Sequence, residues 1–214
     1  MARASTVRAA YAAPLALLFL LSSAQAHVQV LRGRLVDVVG QSNLVVIGSV
    51  EELTPVGARH ADATVRVDAV LAGVADTGRL TFRTPTSLTP GARYVLFLRR
   101  DGDRLASVAP SGALFPSGRE DDAGYRRAIE AIAAALRADP SVRVTELRAA
   151  LIGTLSASAP PLRYYAALDL ATLDHADHPW TSSQRAALER LIADPGADAD
   201  LRPLLSALLQ HSRE

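Results

Sequence analysis

The sequence of 214 residues contains no cysteine and no lysine, and aromatic residues make up only 5% of it. The absence of cysteine excludes disulfide bonds, thiolate metal ligands and thiol nucleophiles within these residues. The fold must therefore be held together by apolar packing, and hydrophobic residues make up 49% of the chain. Because every strongly basic side chain is arginine, we interpret the missing lysine as a coding preference rather than as a phosphate-binding feature.

One long apolar run lies near the N-terminus, and no second run of that kind follows it. Arg3 and Arg8 precede the apolar residues 12–21, and an Ala-Gln-Ala triplet closes the segment. This pattern is typical of a cleavable export signal, and the apolar run is too short to span a membrane. We predict that residues 1–26 are removed. The mature protein would then begin at His27, be periplasmic or secreted, and contain no membrane span.

The charged side chains show no excess of one sign. The formal net charge of the whole chain is +1. Two of its 23 basic residues lie in the predicted signal, and all 22 acidic residues lie in the rest of the chain, so removal of the signal leaves the two signs nearly balanced. A nucleic-acid-binding surface needs clustered basic residues and exposed aromatic platforms. Phe82 is in phase with Leu80 and is predicted to belong to the core. We therefore predict no nucleic-acid partner.

Strand-like hydrophobic patterns fill the first half of the predicted mature chain. Residues 63–71 and 80–84 alternate between apolar and polar side chains, as in strands with one buried face. Residues 44–50 and 94–98 are apolar on both faces, which predicts strands that are covered on both sides. Five or six short strands with glycine and proline turns favour a small antiparallel barrel over residues 27–118.

Two local signals refine this expectation. Asp101-Gly102 lies between two apolar runs, and glycine accepts the positive φ that a tight hairpin turn requires. Residues 31–41 carry apolar side chains at helical spacing and favour a short helix that leads into the first strand.

From residue 119 the hydrophobic period becomes helical. Five amphipathic segments follow over residues 119–214, which predicts a bundle of about five helices. Asp121 or Asp122 is available as an N-cap, Pro160-Pro161 is suited to a helix start, and Thr181 with Gln184 forms a capping box. The predicted fold class is α+β, with an antiparallel OB-like barrel followed by this helical region.

Two resemblances rest on these segments. Residues 43–50, 64–73 and 90–98 carry apolar strands and glycine turns that resemble the OB-like barrel of tissue-inhibitor-of-metalloproteinase and netrin-like modules, here as a small exported bacterial domain. By fold analogy, this resemblance implies an inhibitor of an extracellular hydrolase. The animal inhibitors present the amine of an N-terminal cysteine to a protease zinc, and this chain lacks cysteine. Residues 141–211 resemble HEAT-like helical hairpins.

Two groups of residues have ligand chemistry suited to copper or zinc. His27, as a first mature residue, would offer an α-amine and an imidazole, which together bind copper if a further histidine joins them. Asp174, His175, Asp177 and His178 form the densest polar cluster, and carboxylate and imidazole are zinc ligands. The alternative for this cluster is a solvated turn between helices, with Trp180 packed over the helix joint.

We find no sequence signature of an enzyme. The sequence has no Gly-x-Ser-x-Gly elbow, no phosphate-binding glycine loop and no His-Glu-x-x-His motif. Glu51 and Glu52 are adjacent, so on a regular strand they point to opposite faces and are poor partners for acid–base work on one substrate. The sequence favours an exported non-enzymatic interaction or structural module that binds another envelope or extracellular protein. The alternatives are a periplasmic copper- or zinc-binding protein and the hydrolase inhibitor.

Overall fold

The fold is α+β, with a closed five-stranded barrel followed by a helical region. The computed structural model describes the following residues: 34–75, 78–85, 88–108, 115–116, 118–173, 178–194 and 199–211. His27 and the cluster residues Asp174, His175 and Asp177 lie outside the described residues.

Six strands and six α-helices are found within the described residues. The strands are β1 (Leu44–Val56), β2 (His60–Ala72), β3 (Arg79–Thr84), β4 (Arg93–Asp101), β5 (Arg104–Ser107) and β6 (Phe115–Pro116). The helices are α1 (Leu35–Gln41), α2 (Asp122–Arg137), α3 (Pro140–Thr154), α4 (Pro160–Thr172), α5 (Ser182–Ala193) and α6 (Arg202–His211), with a 3-10 turn over Arg119–Asp121.

The barrel has the strand order β1-β2-β3-β5-β4 and is closed by pairing between β1 and β4. This arrangement is OB-like, as the sequence predicted. The prediction of a purely antiparallel barrel was wrong, because β3 and β5 pair in parallel at Arg83 and Ala106. A closed barrel with an odd number of strands cannot alternate direction all the way round, so at least one pair must be parallel.

β1 is buried on both faces from Leu44 to Gly48, and β4 from Tyr94 to Leu98, which confirms the interpretation of their continuous apolar runs. Alternate residues point into the barrel: Leu44, Val46, Tyr94, Leu96 and Leu98. The intervening residues pack in the core that includes the helices: Val45, Ile47, Val95 and Phe97. The main contacts between helices and barrel strands are those of α1 with β4 and α2 with β2. The helices therefore cover one side of the barrel.

Two helices of the helical region begin where the sequence carries a helix-start signal. Pro160 opens α4, and the capping box of Thr181 and Gln184 at the start of α5 has both of its hydrogen bonds. Asp121 is the N-cap of α2, but its side chain makes no capping hydrogen bond. It accepts a hydrogen bond from Ser158 instead, at 3.1 Å between Oγ and Oδ1. Among the described residues, no helix has the length and apolarity needed to cross a membrane.

A carboxylate cluster fixes the helical region to the barrel. Arg93 of β4 donates to both carboxylate oxygens of Asp122, at 2.7 and 2.6 Å, and its Nε donates to Asp68 of β2 at 2.9 Å. The guanidinium side chain is only 15% exposed, and these bonds raise its pKa. Two-pronged bonding of this kind fixes orientation as well as distance, so Arg93 sets how α2 begins against the barrel.

Asp169 of α4 holds the start of α1. Its Oδ2 accepts a hydrogen bond from the backbone N–H of Val36 at 2.7 Å, and its Oδ1 lies 4.0 Å from Nε of Arg34. Burial raises the pKa of Asp169 from 3.8 to about 6, against the lowering effects of the Val36 hydrogen bond and the Arg34 charge. A single carboxylate therefore caps a helix that is distant in sequence.

Candidate functional site

A groove of about 600 Å³ opens on β3 and β5, away from the main contacts between helices and strands. We call it the barrel groove, and it is lined by His60 and Asp62 of β2, Thr81 and Arg83 of β3, and Asp101, Asp103, Arg104 and Leu105 of the β4–β5 hairpin. Gly102 has φ +59 in the hairpin turn, which confirms the predicted hairpin. In OB barrels, the face of strands 2 and 3 with the β1–β2 and β4–β5 loops is a ligand-binding surface.

The barrel groove lies where β3 and β5 meet, and their ladder is short. The pairing joins Arg83 to Ala106, and no other residue of β3 has a β5 partner in this fully described stretch. β3 continues toward its start at Arg79 with pairing to β2 on one side only. β3 and β5 nevertheless remain neighbours, so the barrel is closed along this seam.

The β2–β3 register decides which backbone groups face the seam. Val67 donates its N–H to the carbonyl of Gly78 at 2.8 Å. Hydrogen-bonded pairs alternate along an antiparallel ladder, so Leu80 and Phe82 bond to β2. The N–H and carbonyl of Thr81, between them, point away from β2 and toward the seam.

The β4–β5 register has the same consequence on the opposite side of the groove. Val108 donates its N–H to the carbonyl of Phe97 at 3.0 Å, which makes Ala106 and Arg104 the hydrogen-bonded positions of β5. Leu105, between them, turns its backbone toward β3. The backbone groups of Leu105 therefore lie on the side of β5 that pairs with β3.

The side chains at the rim are charged. Arg83 donates to both carboxylate oxygens of Asp62, at 2.9 and 3.0 Å. This bond lowers the pKa of Asp62, and the charge of Arg104, from the other side of the seam, lowers it further. Asp101, Asp103 and Arg104 are exposed on the hairpin. With His60 neutral, three carboxylates and two guanidinium groups give the groove a formal charge of −1.

The floor of the groove is apolar and buried. Phe82 is 1% exposed and Leu105 is 8% exposed, and both belong to the barrel core. Tyr94 and Phe97 are also buried, on opposite faces of β4. These three aromatic rings offer no stacking surface to a ligand, so the accessible chemistry of the groove is that of its charged side chains.

Only one of the predicted metal ligands lies within the described residues. His178 is half-buried and precedes Trp180, whereas His27, Asp174, His175 and Asp177 cannot be placed because they fall outside that part of the chain. In the described ranges, no group of three or more histidine, aspartate or glutamate residues is arranged to hold a metal ion. The metal hypothesis for the five ligands stays a prediction.

Trp180 is buried at the joint between helices, where the sequence alternative placed it. The guanidinium carbon of Arg148 in α3 lies 5.0 Å from the centre of its ring, at a distance typical of a cation–π contact. Gln184 donates from Nε2 to the carbonyl of Thr145 at 2.9 Å and ties the same helices together. The segment before α5 is thus fixed to α3.

Comparison with protein-family models gave no match for this chain, and a search of curated proteins gave none either. The barrel groove therefore stands on its own geometry. Sequence analysis missed it because the two sides of the groove meet only when β3 and β5 become neighbours. The one usable signal was the alternation of polar residues over 80–84, which marks Thr81 and Arg83 as the outer face of β3.

Proposed function

We propose that this chain is an exported, non-enzymatic interaction module whose barrel groove binds another envelope or extracellular protein. The observation that carries the proposal is the position of the groove, on the β2–β3 face and the β4–β5 hairpin of an OB-like barrel. The rim adds charged side chains, so the groove has the means to orient a polar ligand.

The sequence supports the export part of this proposal. Arg3 and Arg8, the apolar residues 12–21 and the small residues that follow form a signal of the secretory type. A mature protein that begins at His27 would meet its partners outside the cytoplasm. N-terminal sequencing of the protein recovered from the cell envelope tests this directly, and a chain that still begins at Met1 would contradict it.

We also propose that this chain is related to tissue-inhibitor-of-metalloproteinase and netrin-like modules in its fold. The inhibitory chemistry of the animal proteins requires a cysteine, and the sequence contains none. We therefore propose recognition by the groove rather than insertion of an N-terminal amine into a protease site.

Site-specific photocrosslinking in the native host tests the groove as the binding surface. A photoreactive amino acid at Asp103, exposed at the tip of the β4–β5 hairpin, would report on a ligand in the groove. The matched control places the same amino acid at Arg190, which is exposed on α5. We expect a discrete crosslinked species from position 103 that is weak or absent from position 190.

Two results would contradict the proposal. The first is a protein that expresses normally and gives no crosslinked species from position 103. The second is one species recovered with equal yield from both positions, since that would place the contact on the helical side or make it non-specific.

A further inference from the structure

The α2–α3 hairpin carries a second groove, separate from the barrel groove. Two hollows of about 320 and 450 Å³ follow the line between the helices and share the lining residues Ala131, Ala149 and Ala150. We call their union the helix-pair groove. It follows α2 from Gly124 to Ala138, which is about 20 Å at the rise of an α-helix. Among the described residues, α2 also packs on α1 and β2, and α3 on α4 and α5, whereas Ala131 and Ala149 are exposed.

The two ends of the helix-pair groove differ in shape. At the end near the α2–α3 turn, the side chain of Val142 is 45% exposed. At the opposite end the two helices carry Gly124 and Gly153, and a Cβ added at Gly153 would meet nothing within 4 Å. The groove therefore has an apolar projection at one end and open space at the other.

The two ends also differ in charge. Among the described residues, Arg127 is the charged residue that lines the glycine end, and Glu146 is the one that lines the other end. Neither forms an ion pair in that part of the chain. The other exposed charges of α2 are Arg126, Glu130 and Arg137, which lie outside the groove lining. Nη1 of Arg126 lies 3.8 Å from Oε1 of Glu130, so these two charges offset each other.

We infer that a second copy of this chain covers the helix-pair groove, related by a two-fold axis that crosses the groove near Ala131. This rotation places each end of one groove on the opposite end of the other. Val142 of one copy then meets the open space at Gly153 of the second copy. Arg127 lies at the same end as Glu146 of the second copy, and the same contact recurs at the other end. A two-fold interface of one patch with itself requires this kind of self-complementarity.

A two-fold axis along the helices would have the opposite consequence. It would place Arg127 at the same end as Arg127 of the second copy, and Val142 at the same end as Val142. Like charges at one end of an interface disfavour association, so the charges select the axis across the groove. The small side chains at the centre, Ala131 and Ala149, let helices of the two copies approach closely.

This inference goes beyond the proposed function and does not depend on it. The helix-pair groove and the barrel groove share no lining residue, so a dimer would carry two barrel grooves. A partner with two binding elements would then bind more tightly than a partner with one, because the second contact forms at a high effective concentration.

Sedimentation velocity over a concentration series of the protein recovered from the cell envelope tests the inference. We expect a reversible monomer–dimer equilibrium. Ala131→Glu places two carboxylates together at the axis and should raise the dissociation constant of the dimer about tenfold or more. Ala171→Glu is the matched control, at an exposed alanine of α4 outside the groove, and should change it less than about twofold. Circular dichroism verifies that each variant is folded.

Exchange of the two groove charges tests the direction of the axis. Arg127→Glu and Glu146→Arg each place like charges together at both ends of the interface, so each should weaken the dimer about tenfold or more. The double exchange restores opposite charges and should return the dissociation constant to within about threefold of the unchanged protein. Two residues that each serve only the fold of one copy would show no such recovery.

The absence of cysteine from the sequence allows a single introduced thiol to report the axis. A disulfide requires Cβ atoms about 4 Å apart, which only positions close to a two-fold axis achieve between identical residues. Ala131→Cys should therefore form a covalent dimer under mild oxidation. Ala171→Cys is the control and should remain a monomer under denaturing conditions.

Four results would overturn the inference. They are a monomer at every concentration, a dimer that Ala131→Glu does not weaken, a double charge exchange that leaves the dimer as weak as the single variants, and equal covalent dimerisation from positions 131 and 171. Because photocrosslinking from position 103 reports on the barrel groove, either claim can fail while the other stands.

Discussion

Replacing Asp169 by asparagine tests how the fold holds its first helix. The carboxylate is 1% exposed and accepts the N–H of Val36 at 2.7 Å, while Arg34 stands 4.0 Å away. Asparagine keeps an acceptor oxygen for Val36 and removes the buried negative charge. The comparison therefore isolates the free energy of ionising this one carboxyl group.

The magnitude follows from the shift in pKa from 3.8 to about 6, in which desolvation outweighs the Val36 bond and the Arg34 charge. Because the folded-state pKa is the higher one, the folded protein binds more protons than the unfolded chain between these values. The contribution to stability is complete below pH 3.8 and is lost as the pH rises through about 6. The lost stability amounts to about 3 kcal/mol.

Urea denaturation of both proteins at a series of pH values between 3 and 8 measures this effect (the range brackets both pKa values). The free energy of unfolding of Asp169→Asn minus that of the unchanged protein should rise by about 3 kcal/mol between pH 3 and 7 and then level off. All other carboxylates are common to both proteins and cancel in the difference.

Two outcomes would refute the reasoning about Asp169. A difference that does not vary with pH would mean that the carboxyl has the same pKa in both states. A difference that falls as the pH rises would mean that the bonds from Val36 and the charge of Arg34 outweigh desolvation. In that case the folded-state pKa would lie below 3.8.

Three further substitutions, two of them with a matched control substitution, test the packing of the barrel and helices by the same urea assay. Arg93→Ala should cost about 2 kcal/mol, because it leaves partly buried carboxylates without their partner, and the exposed Arg83→Ala should cost clearly less; equal losses would contradict this. Gly48→Ala should cost about 1–3 kcal/mol, since an added Cβ would meet a β2 side chain and backbone. Gly78→Ala, with open space around the same atom, should show no comparable loss. Thr181→Ala should cost about 1 kcal/mol through loss of the capping box, and an unchanged stability would show that the box contributes nothing.

Local patterns in the sequence predicted the elements well because each pattern reflects burial of the residues that form it. The runs over 44–50 and 94–98 are apolar on both faces, and both strands are covered on both sides. Gly102 marked a hairpin through its positive φ, and Pro160 marked a helix start. These features depend on neighbours in sequence, so sequence alone can reveal them.

The relations between distant segments could not be predicted in the same way. The N–H of Val36 donates to the carboxylate of Asp169, 133 residues away, and neither segment carries a sequence pattern that identifies the other as its partner. The parallel pairing of Arg83 with Ala106 depends on how five strands close into a barrel. The barrel groove is a consequence of that closure, so its residues became a site only once the topology was known.

The central claim is that the barrel groove is the binding surface. Amide chemical-shift mapping of the isotope-labelled chain tests it most directly, during titration with the purified partner protein that photocrosslinking identifies. The barrel groove as binding surface predicts that the largest shifts occur at Thr81, Asp103 and Leu105, while Arg190 on α5 is unchanged. Shifts confined to the helical region, with Thr81, Asp103 and Leu105 unaffected at saturation, would contradict it.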